Sequence, residues 1–321
     1  MSYQLGGRVL WQRFLNVKIH RKSSDLLQIE LILQETSGED RLGLLLSIKD
    51  FTIKEAILER PRSTRCVIKP LALLFLNGRS IYLKEARNLR KAVLDWGETG
   101  PAPAFNDQTD QDGSDSGAGV APPMSEREHF ANLFLELITN VLQAELFLLP
   151  ERGYSSLKEY DNYFSESYAD SCILYSKALG NVPEYSYTQG QVRQDFLFSR
   201  NRGIFIFDKK GGGDKEGEES LYIHGHLSDS FHEMALSMHV LNSPDYPYLL
   251  KEATGNFLRF PNPICGEAAP KLEELVGMQL LPGNRKKIIS ELTGPEGCSH
   301  LCDLVIEAAR ALQELKKNGE P

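Results

Sequence analysis

The chain of 321 residues repeats itself, weakly but in order, and a repeat requires that what one half folds into, the other half folds into as well. Leu27-Gln-Ile-Glu-Leu-Ile-Leu-Gln-Glu-Thr36 lies over Leu221-Tyr-Ile-His-Gly-His-Leu-Ser-Asp-Ser230, and both alternate apolar and polar residues as a half-buried strand does. Leu44 to Ile48 then matches Met234 to Met238, and Ala56 to Pro61 matches Asn256 to Pro261. At the carboxyl end of each copy, His129-Phe-Ala-Asn-Leu-Phe-Leu-Glu136 matches His300-Leu-Cys-Asp-Leu-Val-Ile-Glu307, inside a long apolar-periodic helix. The expected fold is α+β: two tandem copies of a small three-stranded antiparallel sheet packed on helices, related by a pseudo-twofold.

The copies span residues 8–150 and 196–317, joined by a Tyr-rich bridging segment over residues 151–195 with a short helix near Ser171 to Leu179. Residues 97–124 interrupt the first copy with Gly, Pro, Asp and Ser and almost nothing to bury, the composition of a disordered insertion. Ser125 and Glu128 have capping-box spacing where structure resumes. The Gly-rich run from Lys209 to Glu219 reads as a hairpin loop, because no Gly-Lys-Ser/Thr follows and no helix opens there.

Net charge is −8, with Lys and Arg scattered, so there is no basic stripe for a phosphate backbone and nucleic acid is not an expected partner. No apolar run approaches the length of a membrane helix and the amino terminus has no apolar signal centre, so a cytoplasmic location and no membrane insertion are expected. Five cysteines are too few and too uneven for a disulfide framework; in a reducing compartment they suit thiol or metal chemistry.

Four ligand-type residues of the second copy fall at element ends: His232, Cys265, Cys298 and His300. Thiolates and imidazoles together suit zinc or an iron–sulfur cluster. Cys298 opens a helix, whose amino end favours the thiolate. In the first copy His232 faces Leu42, Cys298 faces Arg127 and Cys265 faces Arg65 beside Cys66, and only His300 keeps a partner, His129. The ligands are therefore dispensable for the fold. Buried packing is the ordinary role for a Cys or His at such positions. A nucleophile built from Cys298, His300 and Asp303 is disfavoured by spacing at a helix start, and His224 with His226 share an exposed strand face.

Leu227-Ser-Asp229, His232-Glu-Met234, Cys265, Leu275-Val-Gly277 and Gly297-Cys-Ser-His-Leu301 resemble a bacterial family of domains of unknown function (domain of unknown function 2889), which has no activity attached to it. The element order is also similar to NifU/IscU-type iron–sulfur scaffolds, with His232-Glu-Met-Ala-Leu-Ser-Met-His-Val240, Cys265-Gly266 and Cys298-Ser299 at the three ligand places. That resemblance implies a cluster or metal carrier, although Ser230 and His232 stand where the scaffolds have cysteine and aspartate. The expectation is a metal- or iron–sulfur-binding accessory protein with a protein partner, not a catalyst; the alternative is a non-metal interaction module that assists an enzyme.

Overall fold

The computed structural model describes residues 8–63, 67–96, 124–177, 193, 195–208 and 219–317. The insertion, the Gly-rich loop and Cys66 lie outside the described residues. Nine strands form one antiparallel sheet in the order β5-β4-β3-β2-β1-β6-β7-β8-β9. They are β1 (Val9–Arg21), β2 (Leu26–Glu35), β3 (Gly38–Ser47), β4 (Ile53–Ser63), β5 (Ile68–Ala72), β6 (Phe196–Asp208), β7 (Glu219–Asp229), β8 (Glu233–Asn242) and β9 (Leu249–Arg259). The helices are α1 (Ala86–Leu94), α2 (Met124–Ala144), α3 (Leu149–Arg152), α4 (Leu157–Ser167), α5 (Ile173–Lys177), α6 (Arg285–Leu292) and α7 (Ser299–Lys317).

This corrects the expectation of two separate three-stranded sheets. The α+β class stands, but β1 and β6, each of 13 residues, fill the middle of the sheet order. Strands that long carry a row of backbone donors and acceptors that must be paired somewhere, so they extend a sheet and do not frame a small one.

Two compact units divide the chain: Leu15–Asp161 with Val192–Arg200, and Met1–Phe14 with Asn162–Gln191 and Asn201–Pro321. In the first, the buried residues of β2 (Leu27, Ile29, Leu31, Leu33) alternate strictly, and Phe130, Phe134, Leu137 and Val141 of α2 recur at helical spacing. In the second, Leu221, Ile223 and Leu227 of β7 and Met234, Leu236, Met238 and Val240 of β8 share one core with Leu301, Leu304, Val305, Ala308 and Leu312 of α7. Each unit thus buries one sheet face with its long helix.

The internal hydrogen bonding of the two units coincides. After β3 the chain turns through Phe51, which has a φ of +53°; after β8 it turns through Tyr248, at +54°. Both are buried aromatics in the left-handed region that non-glycine residues seldom adopt. Ile81 N–H donates to the Phe51 carbonyl and Leu280 N–H to the Tyr248 carbonyl, each at 2.9 Å. Gly78 N–H donates to Ile53 and Gly277 N–H to Leu250, with both glycines at positive φ. An isolated bridge joins Thr52 to Ser80 in one unit and Leu249 to Gln279 in the other.

The pairing also sets which residues of the two units correspond. Ile29 pairs with Leu44 and Ile223 with Met238, while Met234 pairs with Leu227. Leu44 therefore corresponds to Met238, four residues from the partner that sequence matching assigns. On the same register His232 corresponds to Gly38, not Leu42: Glu35 pairs with Gly38, and Asp229 N–H donates to the His232 carbonyl at 2.8 Å.

Candidate metal centre

His232 closes the two-residue turn between β7 and β8, and Asp229 builds that turn. The Asp229 Oδ1 accepts the backbone N–H of Phe231 and of His232, both at 2.8 Å, folding the turn around its own side chain. The same oxygen lies 3.0 Å from His232 Nδ1, and the Asp229 side chain is fully buried. A carboxylate only accepts, so Nδ1 is the donor of this hydrogen bond and Nε2 is the ring nitrogen left to face a ligand. Arg259, from the end of β9, donates Nη2 to the carbonyls of Asp229 at 2.7 Å and His232 at 3.2 Å. The turn is held from both sides.

His300 arrives from the first turn of α7, where its ring packs on that of His232 with centroids 4.0 Å apart and planes tilted by 35°. One ligand atom from each of Asp229, His232 and His300 lies within 4.8 Å of the others. Asp229 and His232 are buried and His300 is half-buried, so the group has one solvent-facing side. Such a set, two imidazoles with one ring oriented by a carboxylate, is the donor chemistry of a borderline divalent cation such as zinc.

The approach of α7 depends on Gly297. A Cβ there would stand 2.2 Å from the Leu292 carbonyl oxygen, and Cys298 N–H donates to that same oxygen at 2.7 Å. Only glycine lets the chain pass this close and enter the helix at Cys298.

Of the four residues singled out from sequence, the fold brings His232 and His300 together; Cys265 and Cys298 are not among the residues whose ligand atoms gather there. Cys265 packs with Leu174 and Cys172 in a small cluster of its own, and burial pushes its thiol up to about 11. Burial likewise pushes the Cys298 thiol up to about 12, although the N–H groups of Leu301 and His300 favour its thiolate. For the thiol without a metal, loss of solvent in the apolar core outweighs two helix amides, in the direction opposite to that expected at a helix start. Cys298 is buried, and His300 packs on His232. His224 and His226 are exposed; His224 packs edge-on to Phe207 at 5.6 Å and His226 lies 3.9 Å from Glu233.

Asp229 is the residue that sequence reasoning passed over as a candidate. The signal was an Asp three residues before a His at a turn, the spacing at which a carboxylate can orient the ring.

The first-copy counterpart is filled differently. His129 Nε2 lies 2.7 Å from Asp40 Oδ2, and Arg60 donates to the same carboxylate through Nε at 2.6 Å while pairing with Glu126 at 2.9 Å. Burial would raise the Asp40 carboxyl, but His129 and Arg60 hold it down at about 2. Gly38, which stands where His232 does, pairs with Ser63 because β4 runs past it, whereas β9 ends at Arg259 opposite Glu233.

Residues 214–313 match the model of a family described as Protein of unknown function (DUF2889). That span includes β7 to β9 and the whole His232–His300 site. No curated protein and no solved structure matched the chain. Among the described residues no helix is long and apolar enough to cross a membrane.

Proposed function

We propose that the chain is a metal-binding accessory or carrier protein that holds a divalent ion such as zinc on His232 and His300, with Asp229 orienting His232 or joining as a third ligand. The carrying observation is the convergence of these three side chains within 4.8 Å, one of them already hydrogen-bonded as a metal-supporting carboxylate would be. The imidazoles and the carboxylate form the group that gathers within 4.8 Å, and the thiols of Cys265 and Cys298, which lie near each other and near Cys172, are not part of it; this favours zinc at that group over an iron–sulfur cluster. The half-buried His300 leaves room for a ligand from solvent or from a partner protein. Tyr246, Leu258 and Val276, all exposed in the same unit, offer apolar contact for such a partner.

We further infer that the two units descend from one duplicated four-stranded unit. The shared turns at Phe51 and Tyr248 support this, as do the cross-strand ion pairs Glu39–Arg62 and Glu233–Arg259, each at 3.8 Å.

Zinc titration of chelator-treated protein tests the metal reading. Wild type should bind one equivalent with a dissociation constant on the order of 1 μM or tighter, and His232→Ala and His300→Ala should each abolish it. The cobalt form should lack the intense near-ultraviolet absorption of thiolate ligation. Failure to bind zinc, cobalt or iron(II) while the fold is intact would end the proposal.

A further inference from the structure

A cleft of about 820 Å³ opens in the first unit between the turn after β3, the Gly78 turn and α1. Its volume is in the range of small-molecule sites. Five cations line it against three carboxylates, in a chain whose net charge is −8.

The balance of satisfied and unsatisfied charge is more telling. Arg152 is already committed: its Nε donates to the buried Glu145 at 2.7 Å, its guanidinium stacks 4.1 Å over Phe51, and a second nitrogen donates to the Lys49 carbonyl. The Asp50 carboxylate takes the Thr52 N–H at 3.0 Å, and Glu85 takes the Asn88 amide at 2.8 Å. Lys49, Lys84 and Lys91 have no ion pair or side-chain hydrogen bond among the described residues. Lys84 and Lys91, seven residues apart, stand on one face at and beyond the start of α1.

The other unit provides a control inside the same chain. By the shared turn hydrogen bonds, Lys49 corresponds to Tyr246, Arg79 to Met278, Lys84 to Gly283 and Lys91 to Ser290. The frame therefore does not require these cations, which belong to the first unit alone.

We propose that this cleft binds a small ligand carrying two or more negative charges, with Lys49, Lys84 and Lys91 as its counter-charges. Lysines act on such ligands as point charges and do not impose bidentate geometry, so phosphate and polycarboxylate share the required chemistry.

Calorimetric titration of the full chain with inorganic pyrophosphate and, separately, with citrate tests this. Saturable binding of either is expected, weakened at least tenfold in K49A/K84A/K91A and unchanged in K286A/K287A, which removes two cations from the other unit. Binding should also fall with added salt. Preference for pyrophosphate would assign a phosphate ligand and preference for citrate a carboxylate. No saturable binding of either probe, or binding that survives in the triple variant with a native circular dichroism spectrum, would overturn the assignment.

Discussion

The two units share one frame and differ in what fills it. Near the start of the long helix, the half-buried His129 is hydrogen-bonded to Asp40, which Arg60 also holds while pairing with Glu126. At the same place in the other unit, His300 meets a second imidazole and leaves one side open. In the turn after the third strand, the relation reverses: the first unit keeps unmatched lysines and the second has neutral residues. Each unit fills with its own contacts the place at which we propose a site in the other.

Breaking the closed network should have the largest effect. Arg60→Ala strands two buried carboxylates, and removing one member of a buried pair costs about 3–5 kcal/mol. The Arg259→Ala change, at a guanidinium 40% exposed, should cost about 1 kcal/mol. Urea unfolding reads both; equal losses would erase the contrast between a structural and an open site.

Next comes Gly297→Ala, which forces a Cβ against the Leu292 carbonyl. Overpacking against backbone should cost about 3 kcal/mol and, by displacing the entry to α7, separate His300 from His232. A thermal melt alongside zinc titration should show both losses together.

The pH dependence is smaller, and in the first unit it runs through Asp40, as Arg13, Arg202 and Arg310 hold the Glu307 carboxyl down in the second. The folded Asp40 carboxyl lies at about 2, against 3.8 as its ordinary value. Its stabilisation, about 2 kcal/mol, is therefore complete above about pH 4 and lost as pH falls through about 2. Asp40→Asn should flatten the acid limb of the stability curve, as followed by fluorescence. An unchanged acid limb would mean that the network contributes nothing through this group.

The smallest change tests orientation alone. Asp229→Asn keeps the turn but weakens the hold on His232 Nδ1, and zinc affinity should fall by about tenfold to a hundredfold, with stability changed by about 1 kcal/mol. If Asp229 is a ligand in its own right, the loss will be larger and the cobalt spectrum will shift.

Much of this frame was legible in the sequence, and the failures have physical causes. Strand alternation and the His129 and His300 helices emerged because burial imposes periods of two and 3.6 on the apolar residues. The register of β3 did not, because Leu42, Leu44 and Leu46 are equivalent under a shift of two or four. Turn length settles that register, and neither Thr36-Ser37 nor Ser230-Phe231 declares itself as a tight turn through glycine or proline. His232 and His300, singled out by residue type, lie together in the fold, while Cys265 and Cys298 stand outside that group, and a buried thiol and a ligand thiol look identical in sequence. The lysine cleft was illegible: its residues are spread over 43 positions, from Lys49 to Lys91, and only the turns bring them together.

Gly38 bears on any attempt to copy the His232 turn into the other unit. A Cβ at that position would lie 2.6 Å from the Arg62 carbonyl oxygen and 2.9 Å from the Ser63 Cα. A histidine at that position would therefore need β4 to shorten first, as β9 does opposite His232; the two units agree in frame and differ in whether a side chain fits at that corner.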